Sequence, residues 1–166
     1  MLYYFMMVLY GEMDSMTEEQ ITKKILAWLM DNDWQILSYD FPQSGTGKYL
    51  HPNKGIRNIE TKNEKAFIPD IVAIRNTIAV FFENKNRFFL DDFIKLKNIR
   101  ENNIYSDDID KLLCKYKIVN IYYGIAGINS KHFIANADKH KSDVDFILVV
   151  DREISIIEDE YHVFLE

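Results

Sequence analysis

Two apolar runs, residues 71–74 and 78–82, stand only three positions apart in the stretch IPDIVAIRNTIAVFFENKNRF, which spans residues 68–88. Runs of four or five residues rich in Ile, Val and Phe have strand length, and without polar interruption they read as buried strands. A tight turn near Asn76-Thr77 would join them as a hairpin. The charges at the ends of these runs are the unusual feature. Asp70 precedes the first run, and Glu83 and Lys85 follow the second. Two carboxylates and an ammonium are thereby set against the ends of buried strands.

The rest of the pattern defines an α/β chain. Residues 15–31 carry a helical stripe of Ile21, Ile25, Leu26, Trp28 and Leu29. Ser15-x-x-Glu18 and Thr17-x-x-Gln20 both fit a capping box at its start. Residues 34–41 alternate as a strand that stops at Pro42. After the hairpin, helices are expected over 91–102 and 106–116, the second capped by Ser106, followed by strands over 119–125 and 144–150. The tail from Ile154 is ambiguous, a short strand plus a helix end. Helices between the third and fourth strands allow a crossover and a parallel pair, so the sheet is expected to be mixed.

At 166 residues the chain is expected to form one domain, residues 15–166, preceded by an apolar segment over 1–14. That segment reads as an arm, an edge strand or an over-extended start, with Met13 and Met16 as alternative initiators. It lacks the basic region and cleavage site of a signal peptide, and it is about half of the roughly 20 residues that cross a membrane. No membrane partner is expected. The single cysteine, Cys114, excludes an internal disulfide framework and a cysteine zinc site, which points to a cytoplasmic location.

The net charge of −6 argues against a general polyanion binder, but the charge is unevenly spread. Lys48, Lys54, Arg57, Lys62 and Lys65 precede the hairpin, Lys85, Arg87, Lys95, Lys97 and Arg100 follow it, and the acidic excess lies toward the C-terminus. Residues 42–65 are polar, basic and rich in Gly, Asn and Pro, as in a long functional loop. Lys48 after Ser44-Gly45-Thr46-Gly47 is no phosphate loop, because Pro42 and Tyr49 break the required pattern. It reads better as a loop that touches DNA. Lys48, His51, Lys54 and Arg57 would supply charge, Ser44 and the glycines would approach phosphate, and Gln43 and Asn53 could reach base edges. The plainer alternative is a solvated loop with no partner.

A hairpin would bring Asp70 and Glu83 together at one end of the sheet. Two neighbouring buried carboxylates repel unless a cation neutralises them, and a hard divalent ion such as Mg²⁺ does so through oxygen ligands. Lys85 alternates with Glu83 and points to the same face, where an ammonium can position a water or stabilise developing negative charge. The plainer alternative is a salt bridge of Lys85 with Asp70 or Glu83.

Pro69-Asp70 and Glu83-Asn84-Lys85 on consecutive apolar strands resemble the motif of the PD-(D/E)xK nuclease superfamily, and the order of elements is similar to its αβββαβ core. The resemblance covers residues 15–125, and the GTGKYLHPN and ENKNRF segments look most like a type II restriction endonuclease. It implies a restriction-endonuclease-like fold with a central mixed sheet flanked by helices, and Mg²⁺-dependent hydrolysis of double-stranded DNA. It implies Asp70 and Glu83 as metal ligands, Lys85 as the group orienting water, the Asn84 carbonyl as a further ligand, and Asn86 and Arg87 beside the scissile phosphate. Glu18 would complete the site, unless it serves the Ser15 capping box. Arg87 could instead pair with Asp91 or Asp92. A homodimer would follow from cutting two strands, and a methyltransferase acting on the same site is a candidate partner. The rival readings are a repair or junction-resolving nuclease of the same fold and a non-catalytic DNA-binding subunit. His132, His140, Asp143 and Asp145 read as solvated surface groups.

Overall fold

The computed structural model describes residues 16–55 and 65–165. The expected arm over 1–14, Ser15 and Arg57 therefore lie outside the described residues. The chain is α/β; among the described residues four α-helices surround one six-stranded mixed sheet in the order β1-β2-β3-β4-β5-β6.

Helix α1 (Glu18–Asp31) opens on a capping box. Of the two candidates, Thr17-x-x-Gln20 forms it: the Gln20 amide donates to Thr17 Oγ1 and the Thr17 amide donates to Gln20 Oε1. Glu18 thus stands at the first helical position, outside the box. Ile21, Thr22, Ile25 and Leu29 form the buried stripe of α1.

Strands β1 (Gln35–Tyr39), β2 (Ile71–Arg75) and β3 (Ile78–Lys85) form an antiparallel meander. The β2–β3 connection is the expected two-residue turn at Asn76-Thr77, with Asn76 at φ 55°, a conformation Asn tolerates better than most residues. Helices α2 (Leu90–Asn102) and α3 (Ser106–Leu113) carry the crossover to β4 (Asn120–Ile128), which pairs parallel to β3. Helix α4 (Lys131–Asp138) then leads to β5 (Phe146–Val150), parallel to β4, and β6 (Ile154–Asp159) closes antiparallel on β5. The ambiguous tail is therefore a full edge strand.

Successive residues of β3 face opposite sides of the sheet. Asn84 reaches α1 on one side through its bond to Thr22, while Glu83 meets Lys95 of α2 on the other. On the α1 side Phe82 and Phe146 approach to 4.8 Å between ring centres, with Phe164 packed edge-on at 5.0 Å from Phe146. Gly124 of β4 pairs with Phe82 on one flank and Phe146 on the other. The missing side chain at Gly124 is what lets the two rings meet.

Two expectations are corrected. Ser106 does not cap α3; Tyr105 occupies the cap without a side-chain bond, and the Asp107 amide donates instead to Asn53 Oδ1 of the preceding loop. Asp143 and Asp145 are not solvated; Asp143 is partly buried and paired with Lys97 at 2.8 Å and His140 at 3.1 Å, and Asp145 is 2% exposed, accepts from the Tyr123 amide at 2.8 Å and pairs with Arg100 at 3.0 Å. Burial raises the pKa of Asp145 against the pull of its two donors. Among the described residues no helix is long and apolar enough to cross a membrane.

Candidate active site

Asp70 lies one step before β2. Its amide donates to Phe82 O and its carbonyl accepts from the Asp40 amide, so the main chain is held from both sides. The Ile71↔Phe82 pair sets Asp70 across from Glu83, on the same face of the hairpin. Strand β3 runs on past β2 and keeps β4 as its partner through Glu83↔Ile125, Asn84↔Ala126 and Lys85↔Gly127. The motif thus sits where β2 has ended and β3 is still held rigid by β4. The Asn84 amide donates to Asp70 Oδ2 at 2.6 Å, a charge-assisted bond that fixes the carboxylate. The Asn84 side chain turns to the other face, where Nδ2 donates to Thr22 Oγ1 at 2.9 Å.

The site is richer than the sequence motif. Lys85 Nζ lies 3.7 Å from Asp92, 3.8 Å from Glu83 and 4.0 Å from Glu18. Lys95 Nζ lies 2.9 Å from Glu83 Oε1 and 3.2 Å from Asp92. Asp92 and Lys95 of α2 were not among the expected site residues. Glu18 reaches the cluster from the start of α1, free of the capping role proposed for it through Ser15. Four carboxylates (Glu18, Asp70, Glu83, Asp92) therefore surround two ammoniums, and two negative charges are uncompensated when all are ionised.

Burial sets the electrostatics. Asp70 is pushed up from 3.8 to about 7, first by burial and then by the neighbouring Glu83 carboxylate, against the Asn84 amide and the two lysines. Glu83, 3% exposed, is also raised by burial, with Lys95 and Lys85 opposing. Lys85 and Lys95 are raised because the surrounding carboxylates outweigh their own desolvation. A folded-state pKa above the unfolded value means that the folded protein binds more protons between those values, so stability falls as pH rises through that window. For Asp70 the window runs from 3.8 to about 7. The metal-free protein is expected to lose thermal stability across it, and Asp70→Asn is expected to remove that share of the loss. Melting curves of both proteins in chelator across this range check it; parallel pH profiles would contradict it.

The group suits a hard divalent cation in donor chemistry. Its oxygens are carboxylate, its net charge is −2 when all its members are ionised, and Glu83 is almost wholly buried against Lys95. Among the described residues, however, no three His, Cys, Asp or Glu side chains are spaced to hold a metal ion. The lysines are the cations that the carboxylates meet here.

The expected DNA-contacting residues divide. Asn86 and Arg87 follow Lys85 directly, beside the cluster; Arg87 stacks 4.5 Å over the Phe89 ring and makes no ion pair with Asp91 or Asp92. Lys48 and Lys54 are exposed on the loop, and Gln43 is exposed at φ 64°. Ser44 is exposed, with its hydroxyl engaged by local bonds to Phe41, Asp40 and Thr46. Asn53 and His51 are engaged with α3: Asn53 Nδ2 donates to Asn103 O and Ser106 Oγ, and the His51 amide and ring meet Asp108. Those donors hold Asp108 down at about 2.

No protein-family model, no curated protein and no solved structure matches this chain.

Proposed function

We propose that the protein is a Mg²⁺-dependent endonuclease that hydrolyses phosphodiester bonds of double-stranded DNA, resembling type II restriction enzymes of the PD-(D/E)xK superfamily. The observation that carries the reading is the cluster itself. Asp70, Glu83 and Lys85 stand together at the end of β3, and with Glu18, Asp92 and Lys95 they leave, when all are ionised, an uncompensated charge equal to that of one divalent cation. A structural salt bridge would need one carboxylate per ammonium, and would not need Asp70 raised to about 7.

Asp70 and Glu83, with Glu18 beside them and the Asn84 carbonyl as a further donor, would hold the metal. Bound there, it would supply Lewis-acid stabilisation of the phosphate. Lys85 keeps its proton, held by the surrounding carboxylates. Its role is to orient the attacking water by hydrogen bonding and to neutralise charge developing on the phosphate oxygens. Asn86 and Arg87 lie next along the chain, where they can meet the DNA backbone, and the exposed Lys48 and Lys54 extend the positive surface on the loop. Cutting both strands at one place calls for two active sites, which a two-fold homodimer provides.

A panel of duplex, nicked and single-stranded DNA in Mg²⁺ tests the substrate class. Discrete fragments from duplex DNA are expected. Preference for branched or damaged DNA would move the reading to a repair or resolving nuclease. Tight DNA binding with no cleavage in Mg²⁺ would favour a binding subunit.

A further inference from the structure

The carboxylate cluster lies at one end of the β2–β3 hairpin, and a cleft of about 830 Å³ opens at the other. Five residues of strand, roughly 17 Å at 3.3 Å per residue, separate Asp70 from Arg75 in its wall. The cleft is cationic in an acidic protein. Arg75, Lys115 and Lys117 line it, against Asp33 as the carboxylate among its described lining residues.

Among the described residues these cations are not spent on carboxylates. Arg75 Nη1 and Nη2 donate to the Asn32 and Val163 carbonyls at 3.3 Å each, and the guanidinium stacks 4.7 Å over the Trp34 ring. Neutral acceptors and an indole face fix its plane and leave its charge uncompensated. Lys115 and Lys117 are exposed and form no ion pair among the described residues. Between them Tyr116 is half-buried, and Ile74, Ile78 and Leu165 add apolar surface. A fixed guanidinium with two ammoniums suits phosphate, while an aromatic and apolar floor suits a flat organic body. The volume falls within the range of small-molecule sites.

We propose that this cleft binds a phosphorylated small molecule of nucleotide size, a nucleoside phosphate being the simplest chemistry that meets both surfaces. The inference is independent of the nuclease reading, because it uses none of the residues of the carboxylate cluster. It also differs from a DNA surface in kind, since the phosphates meet a bounded cleft at the far end of the sheet.

Calorimetric titration of the full chain with ATP and with inorganic pyrophosphate, in chelator, tests it. ATP is expected to bind saturably at one site and pyrophosphate more weakly. The double variant Lys115→Glu, Lys117→Glu is expected to weaken ATP about ten-fold or more while melting as wild type, since neither lysine holds the fold. Asp70→Asn is expected to bind ATP as wild type does. Absence of binding by both probes, or equal affinity in the double variant, would overturn the proposal. So would loss of binding in Asp70→Asn, which would move the ligand to the carboxylates, or competitive displacement of ATP by short duplex DNA, which would make the cleft a nucleic-acid surface.

Discussion

Replacing Lys85 by Ala is expected to lower the Mg²⁺-dependent cleavage rate by about 10²–10⁴-fold, the usual weight of a positioned charge or proton-handling group. The fold should survive. Lys85 is 18% exposed at the side chain, lies at the end of its strand, and makes three ion contacts of 3.7–4.0 Å, all long for hydrogen bonds. Its loss raises the uncompensated charge of the cluster from two to three, so the metal-free protein should melt lower. Added Mg²⁺ should then stabilise the variant at least as much as wild type. That pairing separates a chemical role from a structural one. Lost activity with lost metal response would mean a damaged site, whereas lost activity with a retained or larger response would mean that the water-orienting group is gone. Wild-type cleavage in Lys85→Ala would remove Lys85 from the mechanism.

Gly124→Ala is expected to damage the fold severely. An added Cβ would lie 2.3 Å from the Phe146 ring and 2.4 Å from the Phe146 carbonyl oxygen. The ring could turn aside, but the carbonyl belongs to the β4–β5 ladder and cannot move without breaking it. Both flanking rings are fully buried, and Phe164 backs them. Overpacking at such a point costs about 3 kcal/mol, which lowers Tm by roughly 6–12 °C in a chain of this size. Chemical denaturation of both proteins measures it directly. A change below about 0.5 kcal/mol would mean that the two rings do not close over Gly124 as described.

The hairpin was legible because it is local. Two β-rich apolar runs, an Asn in the turn and charges at the ends place Asp70, Glu83 and Lys85 through strand alternation alone. Asp92 and Lys95 were harder, because i,i+3 opposite charges on a helix read as a solvated pair. Their signal was the spacing 92, 95, 96, 99, which puts them on the rim of the stripe formed by the buried Leu96 and Ile99. Helix α4 is eight residues long with a single turn of buried contact through Phe133 and Ala137, too short for a periodicity to show. Asn53 and His51 looked like groups for an external partner because their partners, Asp107 and Asp108, lie 54 and 57 residues away in sequence. A separation of 45 residues likewise hid the Arg100–Asp145 pair. Between the candidate readings of Glu18, local pattern offered two capping boxes and could not choose. The bonds between Thr17 and Gln20 made the choice and left Glu18 for the cluster.

The central claim is that Asp70 and its neighbours bind a divalent cation to cut DNA. Incubation of wild type and Asp70→Asn with unmethylated plasmid and phage DNA, in Mg²⁺ and in chelator, tests it most directly, with melting curves to show that both proteins are folded. The predicted result is cleavage by wild type in Mg²⁺ alone and none by Asp70→Asn, although that variant melts as high as wild type or higher in chelator at neutral pH. Equal cleavage by the two folded proteins, or wild-type cleavage undiminished in chelator, would contradict it.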